Sequence, residues 1–227
     1  MSTHDSISAK SVKPYKGMAM EGMIAKWYAK NTGRAAEQKV IFNKVKGALP
    51  PHAKILEVAP GPGFLAIEFA KAGDYKVTAL EISRTFIEIA QANAAETHVN
   101  IDFRHGNASH MPFEAETFDF IICVAAFKNF TEPVQAIREM HRVLKPGGKA
   151  CIMDLRRDVP FERVDRHIKN ELHLTGMNSF ITKLVFKTTL LKNAYTKSEI
   201  EKMVSQTNFT KLKIEEDALG MDIWLEK

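Results

Sequence analysis

Two acids stand at the ends of apolar runs: Glu57 in Ile55-Leu56-Glu57-Val58, and Glu81 after Val77-Thr78-Ala79-Leu80. Between them lies the turn Ala59-Pro60-Gly61-Pro62-Gly63. Two glycines let a backbone come within contact distance of a ligand, and a helix start beyond them offers N–H groups without partners. A carboxylate placed like Glu81 accepts hydrogen bonds from the two vicinal hydroxyls of a ribose. Residues of these types at this spacing suit a nucleoside-containing cofactor.

Such residues need a frame. Strand-like runs occupy 55–58, 77–80, 100–104, Phe118–Val124 and 149–155. Helical spacing of apolar residues separates them: Phe64, Leu65, Ile67, Phe69; then Phe86, Ile87, Ile89, Ala90; then Val134, Ile137, Met140, Leu144 after Pro133 in a first turn. Lys145-Pro146-Gly147-Gly148 is expected to end the last of these helices. Alternation of this kind predicts a parallel sheet with helices on both faces.

Upstream, Met18, Met20, Met23, Ile24, Trp27 and Tyr28 predict a helix over 15–28 with one apolar face. A second helix is expected over 35–48, with Val40, Ile41, Val45 and Leu49 inward and Pro50-Pro51 as its stop. Segment 158–195 breaks the alternation. Phe161, Val164, Ile168 and Leu172 make a helical stripe, and Phe180, Leu184, Val185, Leu190 and Leu191 suggest more helix. Insertions at this point build lids and substrate pockets. Thr196-x-x-Glu199 is a capping box. Two final strands, 211–216 and 221–225, are expected to pair antiparallel around Gly220. The organisation is therefore an N-terminal tail and cap helix over 1–34 and one domain over 35–227, with 158–195 as a lid insertion.

Composition narrows the partners. The 227 residues carry 32 basic and 27 acidic side chains, a net charge of +5. The excess is dispersed, as at Lys183, Lys187 and Lys192, so no nucleic-acid partner is expected. Cys123 and Cys151 sit in apolar runs and read as reduced core residues. The polar start to Lys13 has no apolar signal core, and no apolar run is long enough to span a bilayer; the reading is a cytoplasmic protein. No histidine or cysteine spacing suits a metal site, and none is expected.

The glycine turn alone does not choose the cofactor. Gly61-x-Gly63-x-x-Ala66 with Glu81 downstream also fits a dinucleotide fingerprint. Glu57, one strand-end before the glycines, crowds a pyrophosphate but suits a cationic ligand with an ammonium group. Gly106-Asn107-Ala108 offers an amide and a small residue to an adenine edge.

Together Glu57-x-x-x-Gly61-x-Gly63, Glu81, Asn107-Ala108, Phe118-Asp119 and Leu144-Lys145-Pro146-Gly147-Gly148 resemble the class I S-adenosylmethionine-dependent methyltransferases. The likeness is to the branch of ubiquinone and menaquinone C-methyltransferases and small natural-product methyltransferases, from about Ala35 onward. It implies a Rossmann-like, doubly wound α/β fold: a seven-stranded sheet with its last strand antiparallel, N-terminal helices and a helical lid. It further implies that Glu57, Ala59, Gly61 and Gly63 line the methionine end of S-adenosylmethionine. Glu81 holds the ribose, Ile82 packs on adenine, Asn107 and Ala108 meet the adenine edge, and Val124 and Ala125 pass beside the sulfonium. Tyr28 or Trp27 is placed to close over the cofactor. Two departures stand out: Ala59-Pro60 where the family commonly has a glycine and a small or cysteine residue, and Asn107 where aspartate is frequent.

Methyl transfer from a sulfonium asks the protein mainly to align donor and acceptor and exclude water. A base is required only when the nucleophile holds its proton at neutral pH. The acceptor-facing candidates follow the fourth and fifth strands: Phe127, Lys128 and Asn129, then Arg156 and Arg157, whose guanidiniums suit a carboxylate or phosphate unless they pair with neighbours such as Asp158. His167 in the lid is a further candidate base. The expectation is methylation of a small lipophilic or aromatic acceptor, with O, N, S and C all open as the methylated atom. A non-methylating catalyst or binding protein on the same fold, and an NAD(P)-dependent enzyme, are the alternatives.

Overall fold

Successive side chains of a strand point to opposite faces of its sheet, so a strand apolar at nearly every position needs cover on both sides. The central strands of this chain are of that kind. In the computed structural model, which describes residues 15–16, 20–31, 35–170, 184 and 186–227, they lie at the middle of one sheet. β1 (Lys54–Val58), β2 (Lys76–Glu81), β3 (Asp102–His105), β4 (Phe118–Val124) and β5 (Leu144–Leu155) run parallel. β7 (Gly220–Glu226) is antiparallel to β5, and β6 (Lys211–Glu216) pairs antiparallel with β7 at the edge. The order β3-β2-β1-β4-β5-β7-β6 gives the seven-stranded sheet with an antiparallel last strand that the resemblance implies.

One face carries Leu56, Ile121, Cys123 and Ile152 against α5 (Pro133–Val143) and α7 (Lys197–Val204). The other carries Ile55, Phe120, Ile122 and Cys151 against α2 (Ala35–Val45) and α3 (Phe64–Lys71), where Phe69 takes the edge of Phe42 at 5.4 Å. The Thr196–Glu199 capping box opens α7 as its spacing predicts. α4 (Arg84–Glu96) starts at Ser83, whose side chain accepts the Phe86 N–H. The chain leaves β1 toward β2 and β3, then crosses to β4 on the other side. That reversal opens a crevice beyond the carboxyl ends of β1 and β4, the place where open α/β sheets bind ligands.

The N-terminal helix, α1 (Gly22–Asn31), begins later than its pattern predicts. Tyr15 instead forms an isolated bridge with Phe130. α1 docks on the start of α4: Glu21 accepts the Arg84 and Thr85 N–H groups, and Ser83 donates its hydroxyl to the Met20 carbonyl at 2.7 Å. Ala25 is its buried contact, while Met23 and Trp27 are exposed. In α2, Val40 is also exposed, contrary to expectation, because Ile41, Phe42 and Val45 are the residues turned onto the core.

Leu144-Lys145-Pro146-Gly147-Gly148 does more than end a helix. α5 stops at Val143, Leu144 is already extended and pairs with Phe118, and the motif is absorbed into β5. Gly147 has φ +73° within the register shift between Phe118 and Phe120, and a Cβ on Gly148 would lie 2.9 Å from the Lys145 carbonyl. Lys145 pairs with Asp119 at 2.7 Å, and Asp119 also accepts the Lys54 N–H. This cluster sits at the amino ends of the strands, opposite the crevice.

In the insertion, α6 (Phe161–Asn170) buries Val164 and Ile168, and Phe161 is exposed. Short helical segments follow at Phe186–Leu190 and Leu191–Asn193. The tail to Lys13, and Met18, Leu172, Phe180, Lys183 and Val185, lie outside the described residues. Among the described residues no helix is long and apolar enough to cross a membrane.

Candidate active site

The turn after β1 is shaped by three left-handed residues: Ala59 at φ +58°, Gly61 at +54° and Gly63 at +78°. The Ala59 N–H donates to the Leu80 carbonyl at 2.8 Å, joining the ends of β1 and β2. Gly63 caps α3, and a Cβ there would stand 2.8 Å from the Ala90 Cβ of α4. Asn93 of α4 donates its amide to the Pro62 carbonyl at 2.9 Å. The turn is therefore clamped between two helices. The left-handed φ of Ala59 also explains why glycine suits that position better.

Two buried carboxylates face this turn, and their surroundings differ. Glu81 is fully engaged with main chain. Its Oε2 accepts the Gly61 N–H at 3.0 Å, and its Oε1 accepts the N–H groups of Ile82 and Ser83 at 2.8 and 2.9 Å. Burial raises its pKa, against those three N–H groups. Glu57 has less support. Burial pushes its carboxyl up to about 8, against an N–H from Ala66 and with the charge of Glu81 adding to the rise. Its Oε2 is buried with no hydrogen-bond partner. A buried, unpaired carboxylate oxygen is costly and calls for a cationic or N–H partner.

The next loop forms the far wall. Gly106 donates its N–H to the Glu81 carbonyl at 2.9 Å, and a Cβ on Gly106 would meet Leu80 at 2.7 Å. The Asn107 amide oxygen accepts the Ser109 N–H at 2.9 Å, which folds the loop on itself and uses one of that oxygen's two lone pairs. Ile82 and Ala108 are half-buried beside it.

Beyond β4, Ala125 is exposed with φ +56°, and its N–H donates to the Met153 carbonyl. Val124 is half-buried. The side chains that follow are less free than their sequence suggests. Phe127 is in the core, packed on Phe130 and Tyr195. Lys128 is buried and forms an ion pair with Asp154 at 2.8 Å, while its ammonium also donates to the Ala125 carbonyl. Asp154 further accepts the Lys128 and Leu155 N–H groups. Arg156 pairs with Glu216, and Arg157 with Glu199. Arg156 also stands 3.8 Å from Asp158. Asn129 and His167 are half-buried. Tyr28 lies edge-on to Phe86 of α4 at 5.9 Å.

With this geometry in view, similarity to known proteins decides the family. The methyltransferase domain family matches residues 56–152. A demethylmenaquinone methyltransferase of Chlorobaculum parvum is 30% identical over 185 residues, covering 80% of this chain and 71% of that protein. The chain belongs to the class I S-adenosylmethionine-dependent methyltransferases. A ubiquinone/menaquinone biosynthesis C-methyltransferase of Bartonella tribocorum is 37% identical over 107 residues, 45% of this chain and 41% of that protein. The crystal structure of a SAM-dependent methyltransferase from Aquifex aeolicus has the same fold, with TM-score 0.63, 16% identity, and coverage of 86% of this chain and 99% of that one. The methyltransferase uses S-adenosylmethionine as its cofactor.

The groups present fit that cofactor. The unpartnered Oε2 of Glu57 suits an ammonium, and the Gly63 position admits no Cβ. Sequence reading missed Asp154, which holds the loop after β4 through Lys128, and the pair Lys16 and Tyr195, which meet across 179 positions. No local spacing signals either.

Proposed function

We propose that this methyltransferase methylates a small lipophilic aromatic acceptor of the hydroxylated or quinol type, with a ring carbon as the preferred atom. The reading draws on the relatives, which carry the names demethylmenaquinone methyltransferase and ubiquinone/menaquinone biosynthesis C-methyltransferase. The observation that carries the donor half of it is the buried, unpaired Glu57 oxygen at the glycine turn.

In this reading Glu57 takes the ammonium of S-adenosylmethionine, with the main chain of Ala59, Gly61 and Gly63 alongside. Glu81 exchanges its hydrogen bond to Gly61 for the ribose hydroxyls. Ile82, Asn107 and Ala108 enclose adenine, and Tyr28 shields the ribose side. When bound, the cofactor supplies a methyl group on an already activated sulfonium. Val124 and Ala125 line the path of transfer. Lys128 and Asp154 fix the loop that carries Ala125 rather than touching the acceptor. Arg156, Arg157 and α6 of the insertion flank the acceptor side, and exclusion of water there favours in-line displacement. An electron-rich ring needs no strong base for the attack itself, which leaves His167 without an obligatory role.

The test is turnover. The protein with S-adenosylmethionine is offered a prenylated naphthohydroquinone, a catechol, a primary amine and a thiol, and products are located by mass spectrometry and NMR. Methylation of a ring carbon of the hydroquinone is the expected result. Turnover of the amine or thiol alone overturns the acceptor assignment.

A further inference from the structure

The N-terminal segment and the loop before α7 meet over the carboxyl ends of β4 and β5. Lys16 donates its N–H to the Asn129 carbonyl at 2.6 Å, beside the Tyr15–Phe130 bridge. These contacts lay the segment along the loop after β4. The Lys16 ammonium then donates to the Tyr195 hydroxyl oxygen at 2.6 Å and stands 4.6 Å from the centre of its ring.

Tyr195 is fixed from below as well. Its ring packs on Phe127 at 5.8 Å, its carbonyl accepts the Arg157 N–H at 3.1 Å, and it bridges Arg156 at the end of β5. Both side chains are half-buried. A phenol and an ammonium are thus held together on the acceptor side of the crevice, by contacts that none of the cofactor-facing residues share.

The hydrogen-bond inventory says what such a pair can recognise. A protonated lysine has no lone pair, so the Tyr195 oxygen is the acceptor in their bond, and the phenol hydrogen is left to be donated elsewhere. The ammonium keeps further N–H groups. One O–H donor beside one fixed positive charge matches a single oxygen bearing negative charge, and charge-assisted bonds are the strong ones.

We propose that the Lys16–Tyr195 pair is the recognition site for the ionised hydroxyl oxygen of the acceptor, a phenolate or hydroquinone monoanion. The hydroxyl proton passes to solvent as the oxygen docks. This deepens the acceptor reading above and rests on it. Holding the oxygen as an anion raises electron density on the neighbouring ring carbons; as one of them bonds the methyl, the S–CH3 bond breaks to leave S-adenosylhomocysteine, and that carbon then loses its hydrogen as a proton to solvent. Tyr195 and Lys16 are acceptor-binding residues in this account.

The experiment uses the full-length protein saturated with S-adenosylhomocysteine and para-nitrophenol as probe, whose phenolate is read by absorbance. Wild type is expected to bind the probe with its ionisation midpoint at least one pH unit below that of the free probe. Tyr195→Phe keeps the ring on Phe127, and Lys16→Met keeps the length of the stem. Each is expected to weaken probe binding at least tenfold and to return the midpoint toward the free value, with S-adenosylhomocysteine affinity and melting temperature unchanged. Probe affinity within twofold of wild type in both variants, or an unshifted midpoint in wild type, overturns the proposal. Failure of wild type to bind S-adenosylhomocysteine overturns the functional reading itself, and the separate cofactor titration tells that outcome apart.

Discussion

The carboxylate of Glu81 accepts the N–H of Gly61 at 3.0 Å, so the acid that ends β2 holds the glycine turn that ends β1. The same carboxylate gathers the N–H groups of Ile82 and Ser83 at the start of α4. One side chain therefore organises both walls of the crevice. In the proposed binding mode, ribose hydroxyls compete with the Gly61 N–H for one of its oxygens.

Glu81→Ala is accordingly expected to act twice. Leaving three buried N–H groups without their acceptor costs about 2 kcal/mol of stability. Cofactor affinity falls at least tenfold. Calorimetric titration with S-adenosylhomocysteine and thermal melting of the same sample check both. Unchanged affinity removes Glu81 from the ribose role.

Glu57 gives the protein a pH dependence whose sign follows from its environment. Its folded pKa, about 8, lies above the ordinary value of 4.5. The folded state therefore holds a proton that the unfolded state has released, and this contribution is full below pH 4.5 and lost as pH rises toward 8. Glu57→Gln removes the slope and should stabilise the ligand-free protein by roughly 3 kcal/mol at pH 7. The variant should also lose most of its cofactor affinity. Urea unfolding at pH 5 and pH 8 reads the first effect; an equal pH slope in variant and wild type contradicts it.

Two small residues of the turn should respond in opposite directions. Gly63→Ala places a Cβ 2.8 Å from Ala90 Cβ at φ +78° and is expected to cost about 2 kcal/mol or more. Ala59→Gly relieves a left-handed alanine at φ +58° and should stabilise by about 1 kcal/mol. Pairing Gly63→Ala with Ala90→Gly should recover part of the loss, since it removes the clash and leaves the strained φ. No recovery would mean the backbone, not Ala90, sets the requirement.

Lys128 and Asp154 form a buried ion pair that closes the loop after β4. Removing one member leaves an uncompensated charge, so Lys128→Met should cost about 3 kcal/mol. Asp154→Ala should cost more, because it also strands the N–H groups of Lys128 and Leu155. Chemical denaturation measures both. A cost below about 1 kcal/mol for Lys128→Met would show the pair to be solvated and its role in holding Ala125 overstated.

The fold was legible because periodicity is local. Apolar runs of strand type, the Pro133 helix start and the Thr196–Glu199 box each record a requirement within a few residues. Glu57, Gly61, Gly63 and Glu81 were legible for the same reason, since a turn between two strand ends is short. Partner choice was not. Lys128 looked free to orient a substrate, and Arg156 and Arg157 to clamp one or to pair with a neighbour such as Asp158; Asp154, Glu216 and Glu199 claim them from other strands and helices. Charge pairing over such separations leaves no spacing to read. The Phe118-Asp119 and Leu144–Gly148 motifs carry the family resemblance but serve the far end of the sheet, where Lys145 and the Lys54 N–H meet Asp119.

The central claim is that buried Glu57 holds the ammonium of S-adenosylmethionine. Its most direct test is calorimetric titration of wild type and Glu57→Gln with S-adenosylmethionine at pH 7, in two buffers of different ionisation enthalpy. The account expects binding to wild type with release of about one proton, because a carboxyl protonated in the free protein must ionise to meet the ammonium. It expects binding at least tenfold weaker in Glu57→Gln, with no such proton. Tight binding to Glu57→Gln, or wild-type binding with no change in protonation, would contradict it.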